Sequence, residues 1–216
     1  MSNSVSRQTT DHVPEPVARV AGLMSTFRPA WALCGGWAID AWLGRVTRDH
    51  GDIDIVVFVQ HALFEHLPGW QLLAHDPAAP DHNGEWWNAQ RVLSHGSHIH
   101  ARPPDRSGPV PPRGIATDDD GFTLEFYVNE CIGDDWVLSR EPLISMPLTR
   151  CVQQSAWGLP TVASEVLLFY KAADLLRHRD KVDFQALLPH LTGEQREWLR
   201  ETIALVGHPW LSQLAT

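Results

Sequence analysis

The stretch CGGWAIDAWLGRVTRDHGDIDIVVF, Cys34 to Phe58, constrains this chain more than any other part of it. A short apolar run, WALC, ends at a glycine pair, Gly35 and Gly36, which breaks any continuing strand. WAIDAWLG then reads as a short helix closed by Gly44. Asp52 to Val59 is apolar and β-rich after its first residues, as a central strand is. The expected unit is strand, glycine pair, helix, basic turn and acidic strand.

That order puts particular chemistry at particular points. Asp52 and Asp54 are two apart on a strand, so both side chains leave the same face, about 6–7 Å apart along it. Two such carboxylates can share one or two divalent cations, which offsets the cost of holding both ionised. Hard carboxylate oxygens suit Mg²⁺, with phosphate oxygens and water completing its shell. Alone, Asp-x-Asp is equally a pair of solvated surface acids. Gly35 and Gly36 leave bare backbone N–H groups at the positive end of a helix, where phosphate oxygens can sit; a tight turn is the plain alternative. Arg45 and Arg48 can neutralise a polyphosphate or pair with surface acids. His50 can position their turn. Glycine cradle, cationic turn and paired acids together describe a nucleoside-triphosphate site.

Around this unit the pattern is α/β (α+β): a small mixed β-sheet flanked by helices, with a helical C-terminal part. Val17, Val20, Ala21, Met24 and Phe27 fall at helical spacing behind Pro14 and Pro16. His61 to Leu67 reads as a brief helix and WQLLAH as a strand. Residues 77–121, rich in Pro, Gly, Asp and His, read as loops around short strands such as SHIHAR. FTLEFYV alternates as a strand does, and WVLS and LISMPL are expected to follow in the same sheet. ASEVLLFYKAADLLRH is apolar nearly all round in its first half, as a buried helix is. Asp180 and Asp183 resemble a capping pair before Phe184, Leu187 and Leu188. Thr192 to Gln195 form a capping box, and Trp198, Thr202 and Leu205 share a face before Gly207. The division falls near residue 155, giving 1–155 and 156–216.

With 216 residues and a net charge of −9, the chain has no run of Lys or Arg. That argues against nucleic acid as a partner. The acidity suits a cationic small molecule and equally an ordinary solvated surface. Three scattered cysteines, Cys34, Cys131 and Cys151, point to a reducing compartment. Without an N-terminal apolar core or a run of about 18 apolar residues, the expectation is a cytoplasmic protein with no membrane partner. The ten tryptophans read first as core, then as a stacking surface.

The string GGWAIDAWLGRVTRDHGDIDI resembles the signature of the antibiotic nucleotidyltransferases of the DNA polymerase β-like superfamily, nearest the aminoglycoside 2″-O-nucleotidyltransferases, with lincosamide nucleotidyltransferases as relatives. The resemblance is specific over Gly35 to Ile55 and loose elsewhere. It implies a Mg²⁺-dependent enzyme that transfers AMP from ATP to a hydroxyl of a small-molecule acceptor, an aminoglycoside-type cationic antibiotic. By resemblance Gly35 and Gly36 hold the triphosphate, Asp52 and Asp54 bind Mg²⁺, and Arg48 touches phosphate.

A third carboxylate is then required, to complete the metal site and deprotonate the acceptor. Glu125 in TLEFYV is the candidate, because an acid in an apolar strand is costly without a partner; an outward-facing edge residue is its alternative. The resemblance implies Asp at this place, and Glu is longer. Asp118, Asp119 and Asp120 are rivals in an acidic loop. Lys171, in an apolar helix, needs an anion: a triphosphate, or Glu165 or Asp174 on its own helix. YKAADLLRHRDKVDF resembles a helical tail common among these transferases, which adds Arg179 and Asp180 to the residues of interest. His95, His98 and His100 lack a matching Cys or second His pair for zinc. They read as loop surface or packing, or with Trp86 and Trp87 as lining of an acceptor pocket. Two other readings stand beside the enzyme: a nucleotidyltransferase toxin acting on tRNA or protein, and a nucleotide-binding module without turnover.

Overall fold

The structure, a computed structural model, describes residues 13–104, 124–172 and 177–214. The expected opening unit is present. Helix α1 (Glu15–Met24) buries Val17, Val20 and Met24. Strand β1 (Trp31–Cys34) runs directly into α2 (Gly35–Leu43), which Gly44 closes in the left-handed conformation at φ 67°. After the basic turn comes β2 (Ile53–Val57). The chain continues through α3 (Ala62–His66), β3 (Gln71–His75), β4 (Glu85–Trp86), β5 (His98–Arg102) and β6 (Leu124–Val128). Strands β7 (Glu130–Ile132), β8 (Asp135–Val137) and β9 (Ser145–Pro147) follow, then α4 (Leu148–Cys151), β10 (Val152–Gln154) and β11 (Pro160–Val162). Helices α5 (Ser164–Lys171), α6 (His178–Leu187) and α7 (Gly193–Val206) complete it.

Eight strands form one mixed sheet in the order β10-β11-β1-β2-β6-β5-β3-β4. Its centre is the parallel pair β2 and β6, flanked by antiparallel β1 and β5. Strand alternation separates the two faces. Leu33, Ile55, Phe126, Ile99 and Ala74 stand in register across five strands. All five are buried, so this row is core. The next row, on the opposite face, is Cys34, Asp54, Glu125, His100, Leu73 and Trp86. One face is therefore apolar and the other carries nearly all the chemistry.

Four expectations are corrected. WVLS and LISMPL do not extend the main sheet: β7, β8 and β9 form a separate three-stranded sheet. The ladder with β2 ends where the Asn129 N–H donates to the Val57 carbonyl, and Trp136, fully buried, anchors the second sheet by donating to the Asn129 side chain. The boundary near 155 falls between β10 and β11, so the sheet runs on to Val162, and α5 and α6 pack against α2. Asp180 and Asp183 lie inside α6 instead of capping it. On α7, Leu199, Thr202 and Ile203 are buried while Leu205 is 69% exposed. The capping box at Thr192 and Gln195 is formed in both directions. Among the described residues, no helix is long and apolar enough to cross a membrane.

Candidate active site

Asp54 is the centre from which the site can be built. Strand β2 sets it opposite Cys34 on one side and Glu125 on the other. Asp52 precedes the strand by one residue. Burial first, then the charges of Asp52 and Glu125, push the Asp54 carboxyl up to about 8, while Lys171 and Arg179 pull it back. Anions crowded in this way are unfavourable unless a cation joins them. The charged donors at this point are carboxylate oxygens, while burial and the charges of Asp54 and Glu125 push the Cys34 thiol well up and keep it a thiol, which fits a hard divalent ion such as Mg²⁺.

Gly35 begins α2 with φ +65°, a conformation that L side chains avoid, and a Cβ there would run into the Asp54 carboxylate. A Cβ on Gly36 would meet Arg48 Nη2 and His50 Nδ1, each at 2.5 Å. The glycine pair thus allows an acid and two basic side chains to close over the start of the helix.

Glu125 is 3% exposed. His100 Nδ1 lies 3.0 Å from its Oε1, and the Tyr127 hydroxyl donates to Oε2 at 2.9 Å. Burial pushes this carboxyl up, but those hydrogen bonds outweigh it and hold Glu125 below the usual glutamate value. The Tyr127 phenol is raised by burial and by Asp54 and Glu125, which keeps it a donor. Asp52, Asp54 and Glu125 do not draw their oxygens into a set within 4.8 Å of one another; among the described residues only a histidine group does so.

Arg48 and Lys171 are committed to acids. Arg48 Nε and Nη2 each donate to Asp183 at 2.9 Å, a bidentate pair. Lys171 Nζ lies 2.6 Å from Asp183 Oδ2 and 3.2 Å from Asp180 Oδ1. The anion that Lys171 requires is therefore supplied by α6. Glu165 lies instead beside Arg150 at 3.8 Å, and Asp174 and Asp118 to Asp120 fall outside the described residues. Arg45 is exposed.

Sequence reasoning overlooked Asp40. It is fully buried on α2, accepts from the Thr47 N–H at 3.1 Å and from the Thr47 hydroxyl, and meets His50 Nε2 at 2.6 Å. Trp37 lies against the same imidazole with centroids 4.4 Å apart. Asp40 thereby ties the basic turn to the helix. Its signal was available: an acid between apolar neighbours, the argument that singled out Glu125. Asp183, fully buried beside Phe184, carried the same signal. Of the tryptophans proposed for the acceptor pocket, Trp87 is core against Phe64, whereas Trp86 is 52% exposed at the sheet edge.

This arrangement, acids on adjoining central strands beside a glycine-started helix, has the fold of the nucleotidyltransferases. The solution structure of the antibiotic-resistance factor ANT(2'')-Ia matches with TM-score 0.54 at 16% identity, covering 88% of this chain and 89% of that one. The crystal structure of ANT(2")-Ia with adenylyl-2"-tobramycin matches with TM-score 0.54 at 17% identity, covering 87% and 94%. Lincomycin-bound LnuA, a lincosamide antibiotic adenylyltransferase, matches with TM-score 0.51 at 15% identity, covering 82% and 98%.

The particular resemblance is local. Residues 16–62 match the family of aminoglycoside-2''-adenylyltransferases. Curated 2''-aminoglycoside nucleotidyltransferases of Escherichia coli and Klebsiella pneumoniae are 70% identical over 27 residues, 12% of this chain and 15% of their own length. Fold and motif agree in likening the chain to the antibiotic nucleotidyltransferases, the class to which Gly35 to Ile55 pointed.

Proposed function

We propose that this chain is a Mg²⁺-dependent O-nucleotidyltransferase that moves AMP from ATP to a hydroxyl of an aminoglycoside-type antibiotic. The observation that carries the reading is the register of Asp54 against Glu125 on parallel central strands, with Gly35 and the helix start directly beside Asp54.

In this reading Asp52 and Asp54 hold the divalent cation, with Glu125 beside them. The bound cation would neutralise charge on the triphosphate and on the attacking and leaving oxygens. The N–H groups at Gly35 and Gly36 receive phosphate oxygens. Arg48 and Lys171 contribute through the charge they share with Asp183 and Asp180, and phosphate contact requires Arg48 to turn from Asp183. Glu125, kept ionised by His100 and Tyr127, accepts the proton of the acceptor hydroxyl. The hydroxyl oxygen bonds to the α-phosphorus, the α–β bridging P–O bond breaks, and pyrophosphate leaves with that electron pair. The net negative charge favours a cationic acceptor.

The test is the purified chain with Mg²⁺-ATP and panels of aminoglycosides and lincosamides, read by pyrophosphate release and by an adenylyl mass increase on the acceptor. Release and modification with an aminoglycoside support the proposal. Neither signal across both panels removes this acceptor class.

A further inference from the structure

Three histidines line the same face as the acids, on the next two strands of the sheet, β5 and β3. His75 ends β3 and pairs with His98 on β5; His100 follows on the same face of β5, opposite Glu125. One ligand nitrogen from each lies within 4.8 Å of those of the other two. The ring centroids are 4.6, 5.2 and 5.3 Å apart. Spacing along the sequence could not show this group, since its third member is contributed by strand register from 23 positions before His98.

We propose that His75, His98 and His100 form a binding site for a borderline divalent transition metal, zinc foremost. Imidazole nitrogens select zinc, copper or nickel, whereas Mg²⁺ requires oxygens, so this site and the acid site differ in the metal they take. Tetrahedral zinc with Zn–N near 2.0–2.1 Å sets its nitrogens about 3.3 Å apart, against separations of up to 4.8 Å here, so closure of the group takes side-chain movement of at most about 1.5 Å. The flattened stack of His75 on His98, with planes 6° apart, is the contact that must open.

The strongest support is the outer contact. A metal-bound histidine characteristically gives its other ring N–H to a carboxylate, which fixes tautomer and orientation. His100 has that arrangement: Nδ1 meets Glu125 at 3.0 Å, leaving Nε2 for a metal. His100 is 7% exposed while His75 and His98 are partly open, so the site has an inner anchor and an outer entrance. Three protein ligands leave the fourth zinc position to water or another donor. Zinc here would also steady His100 against Glu125, the acid that the proposed transfer uses as its base. The zinc site itself stands whether or not the chain transfers nucleotides.

The experiment titrates the chelator-stripped full chain with Zn²⁺ by calorimetry against a competing chelator. One zinc ion per chain is expected, not displaced by excess Mg²⁺. His75→Ala and His98→Gln each weaken it at least about tenfold, Glu125→Gln about tenfold through the lost outer contact, and Asp54→Asn not measurably. Nitrogen-detected spectra of the parent imidazoles, needing no variant to fold, should shift at the same three histidines on adding Zn²⁺. Unshifted spectra overturn the proposal, as does a loss below tenfold in folded His75→Ala. Zinc lost in Asp54→Asn and kept in the histidine variants overturns it too, by assigning the ion to the acids.

Discussion

Asp54→Asn should make the metal-free protein more stable while abolishing its turnover. The Asp54 carboxyl ordinarily ionises at 3.8 and is pushed up to about 8 in the fold. A raised folded value means that the unfolded chain ionises first. Stability is therefore greatest below 3.8, declines as pH rises, and levels off past about 8. At pH 7 that interval spans about three pH units, an upper bound near 4 kcal/mol at 1.36 kcal/mol per unit. Sharing of repulsion with Asp52 reduces it, and about 2 kcal/mol is the expected gain for the neutral amide, or roughly 4–8 °C in melting temperature for a chain of this size. The assay is urea denaturation at pH 5, 7 and 8.5 in chelator, repeated in Mg²⁺. The parent should lose stability between pH 5 and 8 and recover it in Mg²⁺; Asp54→Asn should show neither effect. If the amide variant is less stable than the parent at pH 7 in chelator, Asp54 is a structural acid and the argument for a cation at this point collapses.

Three further outcomes follow from the geometry. Asp183→Asn leaves Arg48 and Lys171 with a neutral partner in a fully buried position. The expected loss is about 3 kcal/mol in urea denaturation, the lower end for a broken buried pair, because Lys171 keeps Asp180 at 3.2 Å. Burial raises the Asp183 carboxyl, but Arg48 and Lys171 outweigh it and hold it below 3.8, so its contribution is present above that value and fades as pH falls below it. Gly35→Ala meets both the left-handed backbone and the Asp54 carboxylate; a loss of about 1–2 kcal/mol is expected from the backbone alone, with turnover falling further than stability. Glu125→Gln should reduce turnover by about 10²–10⁴-fold with nucleotide affinity nearly unchanged, measured by steady-state kinetics and calorimetry.

What could be read from the sequence, and what could not, divides along a physical line. Local rules sufficed where neighbours in sequence are neighbours in space: the helix closed by Gly44, the strand bearing Asp54, the capping box at Thr192. They failed where strand register or helix packing decided. WVLS carries ordinary strand signals, and nothing in it says which sheet it joins. Asp183 has the spacing of a cap but lies on the apolar face of α6, where packing against α2 and α5 delivers Arg48 and Lys171 to it. The rows across the sheet make the same point most sharply. Asp54 was read from its own strand and Glu125 from the cost of an acid in an apolar run, whereas His98 and His100 read as loop surface, packing or pocket lining. His75 carries no local mark at all. It joins them because β3 pairs with β5 in one register, and a slip of one residue would send it into the apolar face in place of Ala74. Leu72 and Ala74, buried opposite Ala101 and Ile99, oppose that slip, since it would set His75 in the core and turn them out of it. The apolar face is thus what aligns acids and histidines, and the chemistry of this protein depends on the residues that take no part in it.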